Sequence, residues 1–188
     1  MKNKYKITYN APAILTFAII SIIALIVNYI TFGISNNLLF STYRSSLINP
    51  LTYIRMFTHV LGHSNISHFT GNMMMFLLLG PALEEKYGTK KILFMISATA
   101  VFTAILNSIF FSSGLLGASG IVFMFILLTS LTSFKEKEIP ISFIIILILY
   151  LGQEIVNGFI SIDNVSQFAH IIGGFIGAFF GFFDKNAK

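Results

Sequence analysis

A serine, two histidines and an asparagine, set among small residues in apolar runs, are the groups of this chain best suited to chemistry. Ser119 stands in Gly117-Ala118-Ser119-Gly120, where an apolar segment begins. A serine hydroxyl becomes an effective nucleophile only when a base within hydrogen-bond reach takes its proton. The imidazoles available are His59, His63, His68 and His170, and the chain has no cysteine, which excludes thiolate nucleophiles, thiolate metal sites and disulfides. His59 and His63 fall in a polar stretch or at its end. His68 and Asn72 are spaced i, i+4 and so share one helix face, where an imidazole N–H and an amide can donate to a developing oxyanion. The backbone N–H of Ser119, at a helix start, would be a third donor. His170 is then left as the base. Asp163 lies in the outer loop before the last span, Glu154 near the outer end of the fifth span and Asp184 about four turns beyond His170, so a Ser-His dyad is expected without a carboxylate. Phe123, one turn after Ser119, can hold the imidazole by stacking or be an ordinary core aromatic.

The elements that must position these groups are membrane helices. The 188 residues are 55% hydrophobic and only 10% charged, where a soluble domain has about a quarter of its residues charged. Six apolar spans are expected: Ala13 to Phe32, His68 to Glu84, Ile92 to Phe111, Ala118 to Phe134, Ile139 to Ile155 and Gln167 to Phe183. The first follows a lysine-bearing tail (residues 1–12), is about 20 residues long and has no A-x-A site after it, so it reads as an uncleaved helix. Gly33 to Ser67 (33–67) is a polar loop too long for a simple connector, hence functional or partly structured. With the N-terminus in the cytoplasm, ten of the twelve basic residues fall inside and only Arg44 and Arg55 outside. That bias puts both chain ends in the cytoplasm. The net charge of +5 thus belongs to topology, and no nucleic-acid partner is expected. The expectation is one all-α polytopic membrane domain spanning residues 1–188, with no repeat or linker dividing it.

This topology brings the polar groups to one depth. At about 1.5 Å per residue, Ser119 lies roughly 24 Å above Lys135, His170 roughly 22 Å above Lys185 and Asn72 roughly 21 Å above Lys86. In a hydrocarbon core about 30 Å thick they share a layer in the outer leaflet, with His68 one turn higher. A serine or asparagine alone can be interhelical glue, but an intramembrane histidine marks a functional site by default. Gly173, Gly177 and Gly181 form a smooth stripe after His170. Gly117, Ala118 and Gly120 give the facing helix a thin start, so that the last span can bring His170 to Ser119. His59 and His63 suggest metal by type, but no HExxH accompanies them, and they are expected to pin the loop over the site. Glu84 is expected to be structural, near the cytoplasmic end of the second span.

These residues resemble the motifs of the rhomboid intramembrane serine proteases. Gly117-Ala118-Ser119-Gly120 is similar to their GxSG, His68 to Asn72 to their HxxxN, Ala169-His170-Ile171-Ile172-Gly173 with Gly177 to their AHxxGxxxG, and Gly80 to Gly88 to their GxxxExxxG. The resemblance covers about Arg55 to Gly181. It implies a minimal six-transmembrane-helix rhomboid-like bundle of bacterial type in the cell membrane, cofactor-free and metal-free, cleaving transmembrane protein substrates in or beside the bilayer. It assigns Ser119 as nucleophile, His170 as base, and His68, Asn72 and the Ser119 amide as oxyanion stabilisers, with the site open to the outer side. Ile54-Arg55 stands where many members have Trp-Arg, and Phe123 where many have Tyr. The alternatives are a non-catalytic rhomboid-like protein that binds or chaperones membrane proteins, which the intact Ser119 and His170 disfavour, and a transporter, which predicts inverted repeats that are not seen.

Overall fold

The computed structural model describes residues 8–131, 141, 144, 145, 148, 149 and 164–183, with 164–166 by backbone alone. Among these, regular structure is helical apart from one antiparallel bridge between Thr42 and Leu115. The α-helices are α1 (Pro12–Ile30), α2 (Pro50–Thr58), α3 (Ile66–Tyr87), α4 (Thr89–Phe110), α5 (Ser119–Leu131) and α6 (Asn164–Phe183). α1, α3 and α4 are each long and apolar enough to cross a bilayer, and α5 and Gln167–Phe183 within α6 are shorter apolar helices. The chain is a helical membrane bundle. Five of the six expected spans appear as α1, α3, α4, α5 and α6. Of the fifth expected span, Ile139 to Ile155, only Ile141, Ile144, Ile145, Ile148 and Leu149 are described, all helical and exposed, and the rest lies outside the described residues. Lys135, Lys185 and the ends of the chain lie outside them too.

Helix boundaries differ from the apolar runs because polar caps set them. α3 begins at Ile66 rather than His68, since the Asn65 side chain accepts the His68 backbone N–H at 2.8 Å, satisfying a donor that the first turn leaves unpaired. It ends at Tyr87 where Gly88 adopts φ +80°, and α4 follows at once with Thr89. Only glycine takes that backbone conformation without penalty. The polar loop is structured throughout much of its length: Asn36–Phe40 forms a π-helical turn, α2 an amphipathic helix, and His59–Leu61 a 3-10 turn. Arg55, only 2% exposed, donates to Tyr43 Oη at 2.9 Å and Ser45 Oγ at 3.0 Å and stacks on the Tyr43 ring at 4.3 Å. With Ile54 exposed beside it, the aromatic partner of this arginine comes from earlier in the loop.

The core runs through α1, α3 and α5 as stacked phenylalanines, Phe17 on Phe76 at 4.6 Å and Phe76 on Phe125 at 5.2 Å between ring centroids. Outward-facing Ile19, Ile22, Ile23 and Ile26 of α1 are exposed, as lipid-facing side chains of a membrane helix should be. At the lysine-bearing end, buried Glu84 of α3 closes the start of α1. Its two oxygens accept the Ala13 and Ile14 backbone N–H groups at 3.0 Å each, and Thr89 Oγ1 donates to it at 2.7 Å. These are α1 donors with no partner inside their own helix, and a carboxylate also suits the positive end of the helix dipole. Glu84→Ala should therefore cost about 2 kcal/mol, read as a lowered Tm in detergent; an unchanged Tm would show that solvent replaces the cap at no cost.

Candidate active site

Ser119 is the first residue of α5 and is half-buried. The first helical hydrogen bond runs from Val122 N–H to the Ala118 carbonyl at 2.9 Å, so the N–H groups of Ser119, Gly120 and Ile121 lack the intrahelical partner that later residues have. The approach to this helix start is held by backbone contacts with the long loop. Thr42 and Leu115 exchange N–H···O bonds at 2.9 and 2.8 Å, and the Gly117 N–H donates to the His59 carbonyl at 2.9 Å. Gly114 packs against Ser41, whose Oγ would sit 2.7 Å from a Cβ there. From the α4 side, Asn107 Nδ2 donates to the Ser113 carbonyl at 3.1 Å.

His68 and Asn72 reach this helix start from α3. A Cβ on Gly117 would lie 2.7 Å from His68 Nε2 and 3.5 Å from Asn72 Nδ2, so both nitrogens face the same small volume beside the segment leading into Ser119. Asn72 is buried, and its Nδ2 has no hydrogen-bond partner among the described residues. A buried donor without an acceptor is costly, and it is what a site built for a transient anion requires. Gly117 takes φ +120°, a second reason for glycine. Its clearance serves His68 and Asn72, where sequence reasoning had assigned it to the last span. Ala118 is fully buried in the main core.

The last span does approach, through Gly120. A Cβ on Gly173 of α6 would collide with the Gly120 carbonyl, one on Gly177 with the Met124 carbonyl, and one on Gly120 would come within 3.3 Å of the Ala169 carbonyl. Gly181 instead faces the Leu131 side chain. Backbone touches backbone for two turns, and the consequence is local: the His170 ring lies on the Phe123 ring with centroids 4.4 Å apart and planes 31° apart. Phe123 follows Ser119 by one turn on α5, so His170 stands on the serine's side of that helix. Asp163, Glu154 and Asp184 lie outside the described residues.

His59 and His63 build the wall behind His68. His59, 1% exposed, donates through Nδ1 to the Arg55 carbonyl at 3.1 Å and faces Thr103 of α4 with Nε2. His63 is fully buried, donates through Nδ1 to the Leu61 carbonyl at 3.2 Å, and meets the His68 and Phe69 rings edge-on at 5.1 and 5.3 Å. Its carbonyl accepts Asn36 Nδ2 at 2.9 Å. Sequence reasoning missed the structural part played by the His59 carbonyl, since a main-chain acceptor leaves no mark in residue type. Burial lowers both imidazoles from 6.5 to about 4, for His63 with the neighbouring His68 adding to it. The unfolded chain takes up these protons near pH 6.5 and the folded chain refuses them until about pH 4, so stability is full above 6.5 and is lost as pH falls. The Tm in detergent should drop between pH 6.5 and 5, a window above most carboxylate titration; a flat Tm there would contradict the burial of both rings.

Comparison with known proteins gives this architecture a family. The family model described as "Rhomboid domain" matches residues 50–186. The chain is 29% identical over 147 residues to rhomboid protease GluP of Bacillus subtilis, covering 75% of this chain and 28% of that protein. It is 29% identical over 132 residues to rhomboid protease GlpG of Yersinia pestis, and likewise to that of Yersinia pseudotuberculosis, covering 69% of this chain and 48% of theirs. It thus spans less than half the length of these relatives. The match takes in the structured loop from Pro50, His68 and Asn72 of α3, the Ser119 segment and the glycines of α6: the chain is a multi-pass membrane protein of the rhomboid family.

Proposed function

We propose that this protein is an intramembrane serine protease that hydrolyses peptide bonds in or near transmembrane segments of other membrane proteins. One observation carries the reading: His68 Nε2 and Asn72 Nδ2, the latter unpartnered among the described residues, converge over Gly117 beside the start of α5, and one turn along α5 Phe123 packs against the His170 ring of α6. The names of the relatives, rhomboid proteases, support it.

In this reading Ser119 Oγ attacks the substrate carbonyl carbon while His170 takes its proton. The tetrahedral oxyanion receives hydrogen bonds from His68 Nε2–H, Asn72 Nδ2–H and the Ser119 amide. Collapse of the intermediate breaks the C–N bond, and His170 returns the proton to the leaving amine. Water then attacks the acyl-serine with His170 again as base, releasing the acid and restoring Ser119. The Phe123 ring packs against the imidazole at 4.4 Å and holds its orientation, and the machinery in this reading is a Ser-His dyad. Both chain ends are cytoplasmic, the site opens to the outer side, and residues 1–188 act as one domain. A substrate helix must unwind before its carbonyl is exposed, since helical backbone groups in a bilayer are already paired.

In proteoliposomes with a model transmembrane substrate, Ser119→Ala should reduce cleavage on the order of 10³-fold or more. Asn72→Ala should reduce kcat about 10²-fold with KM little changed, and Gly117→Ala should be inactive although Ser119 and His170 remain. Full activity of Ser119→Ala, with the fold intact, would leave binding or chaperoning of membrane segments as the better reading.

A further inference from the structure

The mechanism above needs a hydrogen on His68 Nε2, and an imidazole near neutrality carries that hydrogen on either nitrogen. The nitrogen protonated is decided by what the other one meets. His68 Nδ1 lies 3.1 Å from Ser64 Oγ, one turn earlier and just outside α3. Ser64 Oγ is itself met by Asn65 Nδ2 at 3.3 Å. The Asn65 amide cannot be turned round at no cost, because its Oδ1 accepts the His68 backbone N–H at 2.8 Å as the cap of α3. Its nitrogen has only hydrogens to offer, so Ser64 Oγ is the acceptor in that contact. The serine's single hydrogen is then available for Nδ1.

We propose that Ser64 is a positioning residue for the reaction: it donates its hydroxyl hydrogen to His68 Nδ1, which keeps Nδ1 unprotonated and puts the ring's hydrogen on Nε2, the nitrogen facing Gly117. The inference rests on the reading of His68 as an oxyanion donor. Two features of the structure support this direction of donation. Nε2 is the ring atom nearest the volume beside Gly117, at 2.7 Å from a Cβ built there, with Asn72 Nδ2 beside it. An unprotonated Nε2 at that point would present a lone pair to the oxyanion and oppose it. The ring is also fenced by His63, edge-on at 5.1 Å, which limits swinging of the imidazole and leaves the choice of protonated nitrogen to Ser64. One asparagine thus starts α3 and polarises the serine, coupling the helix cap to the donor two residues into the helix. Ser64 itself is exposed, so its substitution spares the core.

The test combines kinetics with a direct reading of the ring. Solid-state NMR of the full chain in liposomes, labelled with ¹⁵N-histidine and with His68 assigned through His68→Gln, should show His68 protonated at Nε2 alone at pH 7.5. Ser64→Ala should lose that preference and lower kcat about tenfold with KM nearly unchanged, less than the 10²–10³ expected for deleting an oxyanion donor. Ser64→Thr, which keeps the hydroxyl, should restore both. His68 protonated at Nδ1, or at both nitrogens, in the parent chain would overturn the proposal, as would Ser64→Ala with unchanged kcat and an unchanged ring signal. Ser119→Ala run alongside separates the two failures: if it stays active the protease reading falls, while the NMR result still judges the Ser64 hydrogen bond.

Discussion

The contact between the Gly120 carbonyl and the bare Cα of Gly173 is the constraint on which the site depends. Inside a bilayer there is no hydrophobic gain in pressing two helices together, because lipid tails are as apolar as the side chains. Close approach has to come from shape, and here it does: Gly173 against Gly120 and Gly177 against Met124 let α5 and α6 meet backbone to backbone. That separation fixes where the His170 imidazole lies. Were the helices spaced by ordinary side chains, the ring would not rest on Phe123 at 4.4 Å. It would also lose its position on the Ser119 side of α5.

A second set of constraints comes from the backbone of the long loop. Polar main chain in or near a membrane must find partners within the protein, and this loop finds them in the segment before Ser119. Thr42 pairs with Leu115, and His59 offers its carbonyl to Gly117. Arg44 of the same loop donates to the Ser108 and Ile109 carbonyls at 2.8 and 2.7 Å, closing the end of α4. The loop that is too long for a simple connector is therefore the template on which the start of α5 is formed. The two histidines behind it stay neutral through burial, which keeps a charge away from the wall of the site.

Much of this was legible in the residues, and the limits are physical. His68 and Asn72 share a face because helix periodicity demands it, and the Gly173 and Gly177 stripe is likewise a matter of spacing. Glu84 was recognisable as structural by its place near a helix end; that it caps α1, some 70 residues earlier in the chain, was not, because a long-range partner leaves no local signal. The start of α3 was set two residues late because apolarity marks the run and Asn65 marks the helix. Gly117 and Gly120 look equivalent in sequence, yet one clears two α3 side chains and the other an α6 backbone. Ser64 could have been noticed by its i, i+4 spacing to His68, but a loop serine gives no hint of its direction. The carbonyl of His59 could not have been found at all.

The central claim is that the hydroxyl of Ser119 is activated by His170, and covalent capture tests it most directly. The full chain in liposomes is treated with a fluorophosphonate probe and examined by intact mass and peptide mapping. A single adduct on Ser119 in the parent, absent in Ser119→Ala and lost in His170→Ala with the fold retained, is the predicted result. An unlabelled Ser119 in folded parent protein, or labelling that survives His170→Ala undiminished, would contradict the account.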